Sequence, residues 1–310
     1  MALTTARAGA EDPGTHRRLP DLLPEAASLT VVLLWSSTFI LTKDAYDDIR
    51  PLAFVFARFL LITALALGVL AVRGRRGDRA DWWHIDRADL PRFAAAGLFG
   101  YTIYQLGFTL GLEHTSPFSS SLLISMVPLF SLVIVTIRGE RSPLLVWVGV
   151  VTALLGVGIF LSGAEGGGTW LGNGLSVMAA VAFAMYGVVN RPLVRRYRPE
   201  TVAAYTTLAG AVPLFLIAAP AASRQDWGNV PVDTWLVILY MAILPVYVAY
   251  MLWNWAIRKR GVTATSWALL VPVVSGILSA AFYGEPFGPV KVIGGALALL
   301  GLALMRPRRP

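Results

Sequence analysis

The chain has 310 residues, of which 56% are hydrophobic and 14% charged, with a formal charge of +8 and no cysteine. A soluble domain carries about a quarter charged residues, so this apolar surplus excludes an ordinary soluble globule and points to lipid as the solvent. The missing cysteine removes disulfides, thiolate nucleophiles and thiolate metal sites, and the basic residues form short clusters between apolar runs, which suits membrane orientation rather than nucleic acid.

Residues 1–25 read as a polar cytoplasmic tail, since Arg17, Arg18, Pro20 and Pro24 precede the first apolar run and a cleavable signal would turn apolar much earlier. A crossing helix needs roughly 20 apolar residues. Runs of that kind fall at 26–44, 51–72, 91–112, 116–137, 143–163, 171–190, 201–220, 234–256, 262–282 and 289–305. With the N-terminus inside, 21 of the 26 lysines and arginines lie on the cytoplasmic side, and Lys43, Arg50, Arg224 and Lys291 at or near the outer face. Both termini, including residues 306–310, are therefore expected in the cytoplasm.

The second half echoes the first. Gly139-Glu140, with Gly149 and Gly156 after it, recurs as Gly284-Glu285 with Gly294 and Gly301. Pro128 and Ser121 match Pro272 and Thr265 at an offset of 144, and Trp35, Thr38, Thr42 and Lys43 match Phe183, Tyr186, Asn190 and Arg191 at 148. Their shared order marks an internal repeat. Five runs per copy is an odd number, so the second copy must enter from the opposite side. The expectation is an all-α integral membrane fold of ten transmembrane helices, built as two inverted five-helix repeats (26–163 and 171–305) around a central cavity. Such symmetry suits alternating access; duplication kept for packing or dimerisation is the other reading.

Across residues 26–305 the chain resembles the drug/metabolite transporter superfamily, specifically its ten-helix, two-repeat EamA-type members. The matching elements are Trp35-Ser36-Ser37-Thr38-Phe39 leading to Lys43, Ala57-Arg58-Phe59, Gly111-Leu112-Glu113-His114-Thr115-Ser116, Pro128-Leu129-Phe130 and Gly139-Glu140-Arg141. Tyr250-Met251-Leu252-Trp253, Pro272-Val273 and Gly284-Glu285-Pro286 follow in the second copy. The resemblance implies a basket of ten helices and efflux of amino acids or related metabolites, in a multi-pass protein of the bacterial inner membrane. Phe183 stands where the family often repeats the tryptophan.

Helical spacing gathers polar and aromatic residues on single faces: Trp35, Thr38 and Thr42; Tyr101, Gln105 and Phe108; Ser121 and Ser125; Phe183, Tyr186 and Asn190; and Tyr247, Tyr250 and Asn254. Lipid leaves such groups unsatisfied, so they are expected to line an amphipathic substrate cavity. Ser121 and Ser125 can equally bond their own helix, and Trp253 and Trp255 read as interfacial anchors. The small-residue rows Gly149, Ala153, Gly156 and Gly294, Ala298, Gly301 read as packing or dimer seams.

A charge at the bilayer centre costs about 2.5–3.5 kcal/mol on insertion scales, which singles out Arg58. It is expected to cap carbonyls of a neighbouring helix or to serve as counter-charge for a substrate carboxylate. Lys43 reads as solvated. Pro128 and Pro272 are expected to kink their spans and are candidate hinges. The acids all fall in connections or at span ends, offering no intramembrane proton relay, so a facilitator or exchanger is expected. No catalytic constellation, metal cluster or cofactor motif points to an enzyme. Small-molecule substrate and lipid are the expected partners, in a monomer or weak homodimer. The alternatives are an efflux carrier of cationic drugs or polyamines, and a non-transporting scaffold or sensor.

Overall fold

The computed structural model describes residues 22–76, 84–139, 143–162, 168–260, 267–284 and 288–305, and within them the chain is helical apart from its connections and one antiparallel bridge between Thr115 and Gly168. Helix α1 (Leu23–Ala45) is followed by α2 (Pro51–Arg76). The third apolar run winds through α3 (Leu90–Gly97), a π-helical segment (Leu98–Ile103) and α4 (Tyr104–His114). The fourth is split into α5 (Pro117–Ile124) and α6 (Val127–Ile137). Then come α7 (Leu144–Ser162), α8 (Trp170–Arg196) and α9 (Pro199–Ser223). Helix α10 (Val232–Ile243) passes through a second π-helical segment (Leu244–Val248) into α11 (Ala249–Arg260), and α12 (Leu270–Tyr283) and α13 (Pro289–Leu304) close the chain. Among the described residues seven helices are long and apolar enough to cross a membrane, and Trp267–Tyr283 and Pro289–Leu304 are shorter apolar helices.

Local chemistry sets the boundaries. Ser116 accepts from the Ser119 amide at 3.1 Å and Thr169 from the Gly172 amide at 3.1 Å, N-capping α5 and α8. Gly139 follows α6 with φ 91° and Gly284 caps α12 with φ 60°, so both copies end this helix on a residue free to take a left-handed backbone. Their glutamate partners, Glu140 and Glu285, lie outside the described residues.

Pro128 lies just after the break in the fourth run, the local opening expected of it, and Pro272 is the third residue of α12. Each falls in the first turn of a helix, α6 and α12, where a missing N–H leaves no bond unmade. The discontinuity of the fourth run lies just ahead, at Ser125–Met126. Pro128 is exposed and Pro272 buried. Pro245, in contrast, lies inside the second π segment, where its missing donor loosens the helical ladder.

Packing partners recur between the halves. Helix α1 packs on α11 as α8 packs on α4; α1 meets α12 as α8 meets α6; α3 lies on α9 as α10 lies on α2; and α2 pairs with α9. The most extensive contact joins α7 to α13. There a Cβ on Gly149 would stand 2.7 Å from the Gly301 carbonyl oxygen, and one on Gly156 2.7 Å from that of Gly294. The small-residue rows thus serve packing within the chain, because only glycine lets these backbones approach so closely. On α7, Val148, Val151, Leu155 and Ile159 point outward, the apolar exposure that a lipid-facing helix requires.

Candidate functional site

Five of the helical runs meet through aromatic and polar side chains near mid-length. The Trp35 indole on α1 donates to the Pro245 carbonyl at 3.2 Å, so the π segment supplies an acceptor, and its ring meets Trp253 at 5.2 Å. Trp253 is half-buried against Trp35 rather than serving only as an interfacial anchor. From Tyr101 in the first π segment, ring contacts run to Phe59 at 6.2 Å and Tyr186 at 6.0 Å, then from Tyr186 to Phe183 at 5.5 Å. Phe183 meets Tyr104 at 5.0 Å, Tyr104 stacks on Phe108 at 6.2 Å, and Phe108 meets Phe39 at 5.4 Å. Tyr247 occupies the second π segment, within electrostatic reach of Tyr101. Its hydroxyl donates weakly to the Ile62 carbonyl at 3.4 Å.

The remaining predicted residues divide. Thr38, Ser121 and Ser125 donate to carbonyls three residues back in their own helices, at 2.6, 2.8 and 2.6 Å. Asn190 donates to the Tyr186 hydroxyl at 3.1 Å while its own amide oxygen, buried, has no partner. The Thr42 hydroxyl is likewise buried and unpartnered. The side chains of Tyr250 and Asn254 lie outside the described residues. Tyr104 was missed by the sequence reading although it adjoins Gln105; aromatic residues are common in membrane helices, and nothing local marks the one that bridges two spans.

Arg58 donates to a side chain rather than to helix carbonyls. It is 5% exposed, and its Nη2 donates to the side-chain oxygen of Gln105 on α4 at 2.6 Å, while Nε has no partner. The Phe54 and Phe59 rings lie 5.7 and 5.6 Å from its guanidinium carbon, and Tyr46 and Tyr104 are within electrostatic reach. No carboxylate among the described residues forms an ion pair with it. Lys43 is half-buried, and its Nζ donates to the carbonyls of Leu112 and Glu113 at 2.8 and 2.9 Å, closing the C-terminal turn of α4, where a cation is favoured.

A second polar cluster lies at the other end of α3. Asp89, buried, accepts from Arg92 at 2.7 Å, Arg196 at 2.6 Å and the Tyr197 hydroxyl at 2.8 Å. Arg196 also donates to Asp86 at 2.9 Å. The Tyr197 and Arg92 hydrogen bonds hold the Asp89 carboxyl below the usual carboxylate range, and the Ala88 amide and Arg196 do the same for Asp86.

Comparison with known proteins bears on this arrangement. A solved crystal structure superposes with a TM-score of 0.61 at 23% identity, covering 91% of this chain and 94% of the other, a likeness of fold. The chain is 28% identical over 288 residues to a protein of Streptantibioticus cattleyicolor named "Probable terminal-alkyne amino-acid exporter", covering 91% of this chain and 93% of that one. It is 27% identical to the uncharacterized transporter YyaM of Bacillus subtilis, over 86% of this chain and 88% of the relative. To the uncharacterized inner membrane transporter YedA of Escherichia coli it is 24% identical, over 93% and 92%. The EamA-like transporter family model matches twice, over residues 23–162 and 170–306. The chain is therefore a multi-pass membrane protein that belongs to the EamA-like transporter family.

Proposed function

We propose that this protein exports amino acids or related small metabolites from a bacterial cytoplasm by alternating access, as a facilitator or exchanger. The seven long apolar helices, the two shorter ones and the helical segment 90–114 together make the ten spans of this reading, arranged as two inverted repeats (26–163 and 171–305), with residues 1–25 and 306–310 in the cytoplasm. The recurring packing of α1 with α11 and α8 with α4 supports the duplication, as do π segments at Tyr101 and Tyr247, 146 residues apart, and five spans per copy make it an inverted one in this reading.

The observation that carries the transport reading is the aromatic and polar cluster of Trp35, Tyr101, Gln105, Phe183 and Tyr186, held at mid-length of helices whose outer faces are apolar. Hydrocarbon offers these groups no partner, whereas a substrate cavity does. In the state described, α5 packs on α1, α8 and α12, while α6 packs principally on α8. Lys43, Tyr46 and Tyr283 tie the same end of the bundle, donating to the carbonyls of Leu112, Thr109 and Ile40. This reading takes that end as the closed outer gate. A carrier of cationic drugs is disfavoured, because the central charge is the Arg58 cation.

Uptake and efflux in proteoliposomes with a panel of labelled amino acids test the reading, with Trp35→Ala and Gln105→Ala as controls. Saturable flux without an imposed proton gradient, reduced in both variants, is expected. Flux only under a gradient would sink the uncoupled mechanism, and no flux of any amino acid would sink the substrate class. Single cysteines at positions 38 and 186 should be labelled from opposite sides in different states.

A further inference from the structure

We infer that Arg58 and Gln105 form the subsite that receives the substrate's carboxylate; this rests on the reading of the chain as a carrier of amino acids or related metabolites. A guanidinium has five N–H donors arranged to grip a carboxylate with two parallel bonds. At Arg58 one goes to a neutral amide oxygen, and Nε, buried, has none. The charge lies against two phenylalanine rings at 5% exposure, and no described carboxylate pairs with it. A structural arginine at this depth would be expected to meet an acid or several carbonyls, because an isolated charge is costly in a medium of low dielectric. Lys43, 15 residues earlier in the chain, has two carbonyls.

The neighbours of the pair suit an incoming acid. Gln105 is half-buried and lies on the run that carries Tyr101 and Tyr104, so its amide fronts the guanidinium on the side of the aromatic cluster. A carboxylate arriving there displaces or shares the Gln105 oxygen and takes the free Nε. The amide nitrogen of Gln105 then supplies a further donor. The same arrangement repels an ammonium group, so the subsite selects a carboxylic acid over its decarboxylated amine.

Two paired probes test this, L-leucine against 3-methylbutylamine and L-phenylalanine against phenethylamine, read as flux in proteoliposomes and as thermal stabilisation of the solubilised protein. Above the flux of protein-free liposomes, which lipophilic amines cross by themselves, the acids are expected to move and to stabilise, the amines to do neither. Arg58→Gln should lower acid flux by about 10- to 100-fold, the worth of a charge-assisted hydrogen bond, and Arg58→Lys should restore part of it. Gln105→Glu separates this from a structural role. An internal carboxylate against Arg58 satisfies the charge, so the protein should melt no lower than wild type while acid flux falls as far as in Arg58→Gln. Wild-type flux in Gln105→Glu, or equal movement of acid and amine, would overturn the subsite and leave the carrier reading standing. If no acid moves or stabilises, both fall.

Discussion

Two buried charges of opposite sign contact the third helical run, Asp89 at its start and Arg58 of α2 near its middle, and they are treated in opposite ways. Asp89, ahead of α3, has three donors on its carboxylate from Arg92, Arg196 and Tyr197. Arg58, facing α4, has one bond to a neutral amide and an idle Nε. A buried charge that is fully matched serves the fold, because removing it strands every partner at once. A buried charge left half-matched costs stability and is kept for something the folded chain does not itself supply. The contrast fits a structural role at the first site, and the proposed carboxylate subsite at the second rests on it.

Asp89→Asn should have the largest effect on stability, since it removes the charge and one of the two acceptor oxygens that serve two arginines and a tyrosine at the junction of α3 and α8. Thermal unfolding in detergent is expected to shift well beyond that of Asp226→Asn, whose carboxylate accepts only from exposed Asn229. Equal shifts would erase the contrast.

Acid provides a graded form of the same test. The folded carboxyls of Asp86 and Asp89 are held below their ordinary values. The stability they add is therefore complete above the unfolded value, about 4, and is lost as pH falls through the lowered folded values. The melting temperature should decline below about pH 4, with a flatter slope in Asp89→Asn; parallel slopes would remove this cluster from the acid response.

Arg58→Met should cost less than Asp89→Asn. Its penalty is the orphaned Gln105 oxygen, about 1–3 kcal/mol, and the double variant Arg58→Met/Gln105→Leu should recover most of it, since replacing both partners by apolar groups is close to neutral. A larger loss in Arg58→Met than in Asp89→Asn would reverse the assignment. Lys43→Met should be the mildest, losing about 0.3–1 kcal/mol of interaction with the C-terminal turn of α4, measured in the same unfolding assay.

How far these sites were legible differs residue by residue. Helical spacing placed Trp35, Tyr101, Gln105, Phe183 and Tyr186 on shared faces, and the rings of Tyr101, Phe183 and Tyr186 do meet. The same spacing grouped Thr38, Ser121 and Ser125 with them, although their hydroxyls bond carbonyls of their own helices. Sequence periodicity reports the face of a helix, but a hydroxyl chooses between backbone and neighbour only after the neighbour is in place. Asp89 read as an acid in a connection because, beyond its i+3 neighbour Arg92, its partners come from positions 196 and 197, which no local pattern joins to it.

The sequence by itself determined the solvent, the helical class and the duplication, because apolar run length, charge placement and repeated motifs are properties of the chain read in order. It also marked Arg58 as anomalous, since a charge within an apolar run is costly wherever the run is packed. Only the tertiary structure decided that Gln105 is its partner, that Lys43 closes α4 and that the glycine rows join α7 to α13. It alone decided, too, that two runs pass through π turns at Tyr101 and Tyr247. Each of these depends on which helices lie side by side and how closely. That is settled by the packing of surfaces far apart in sequence, and the one-dimensional pattern constrains it without specifying it.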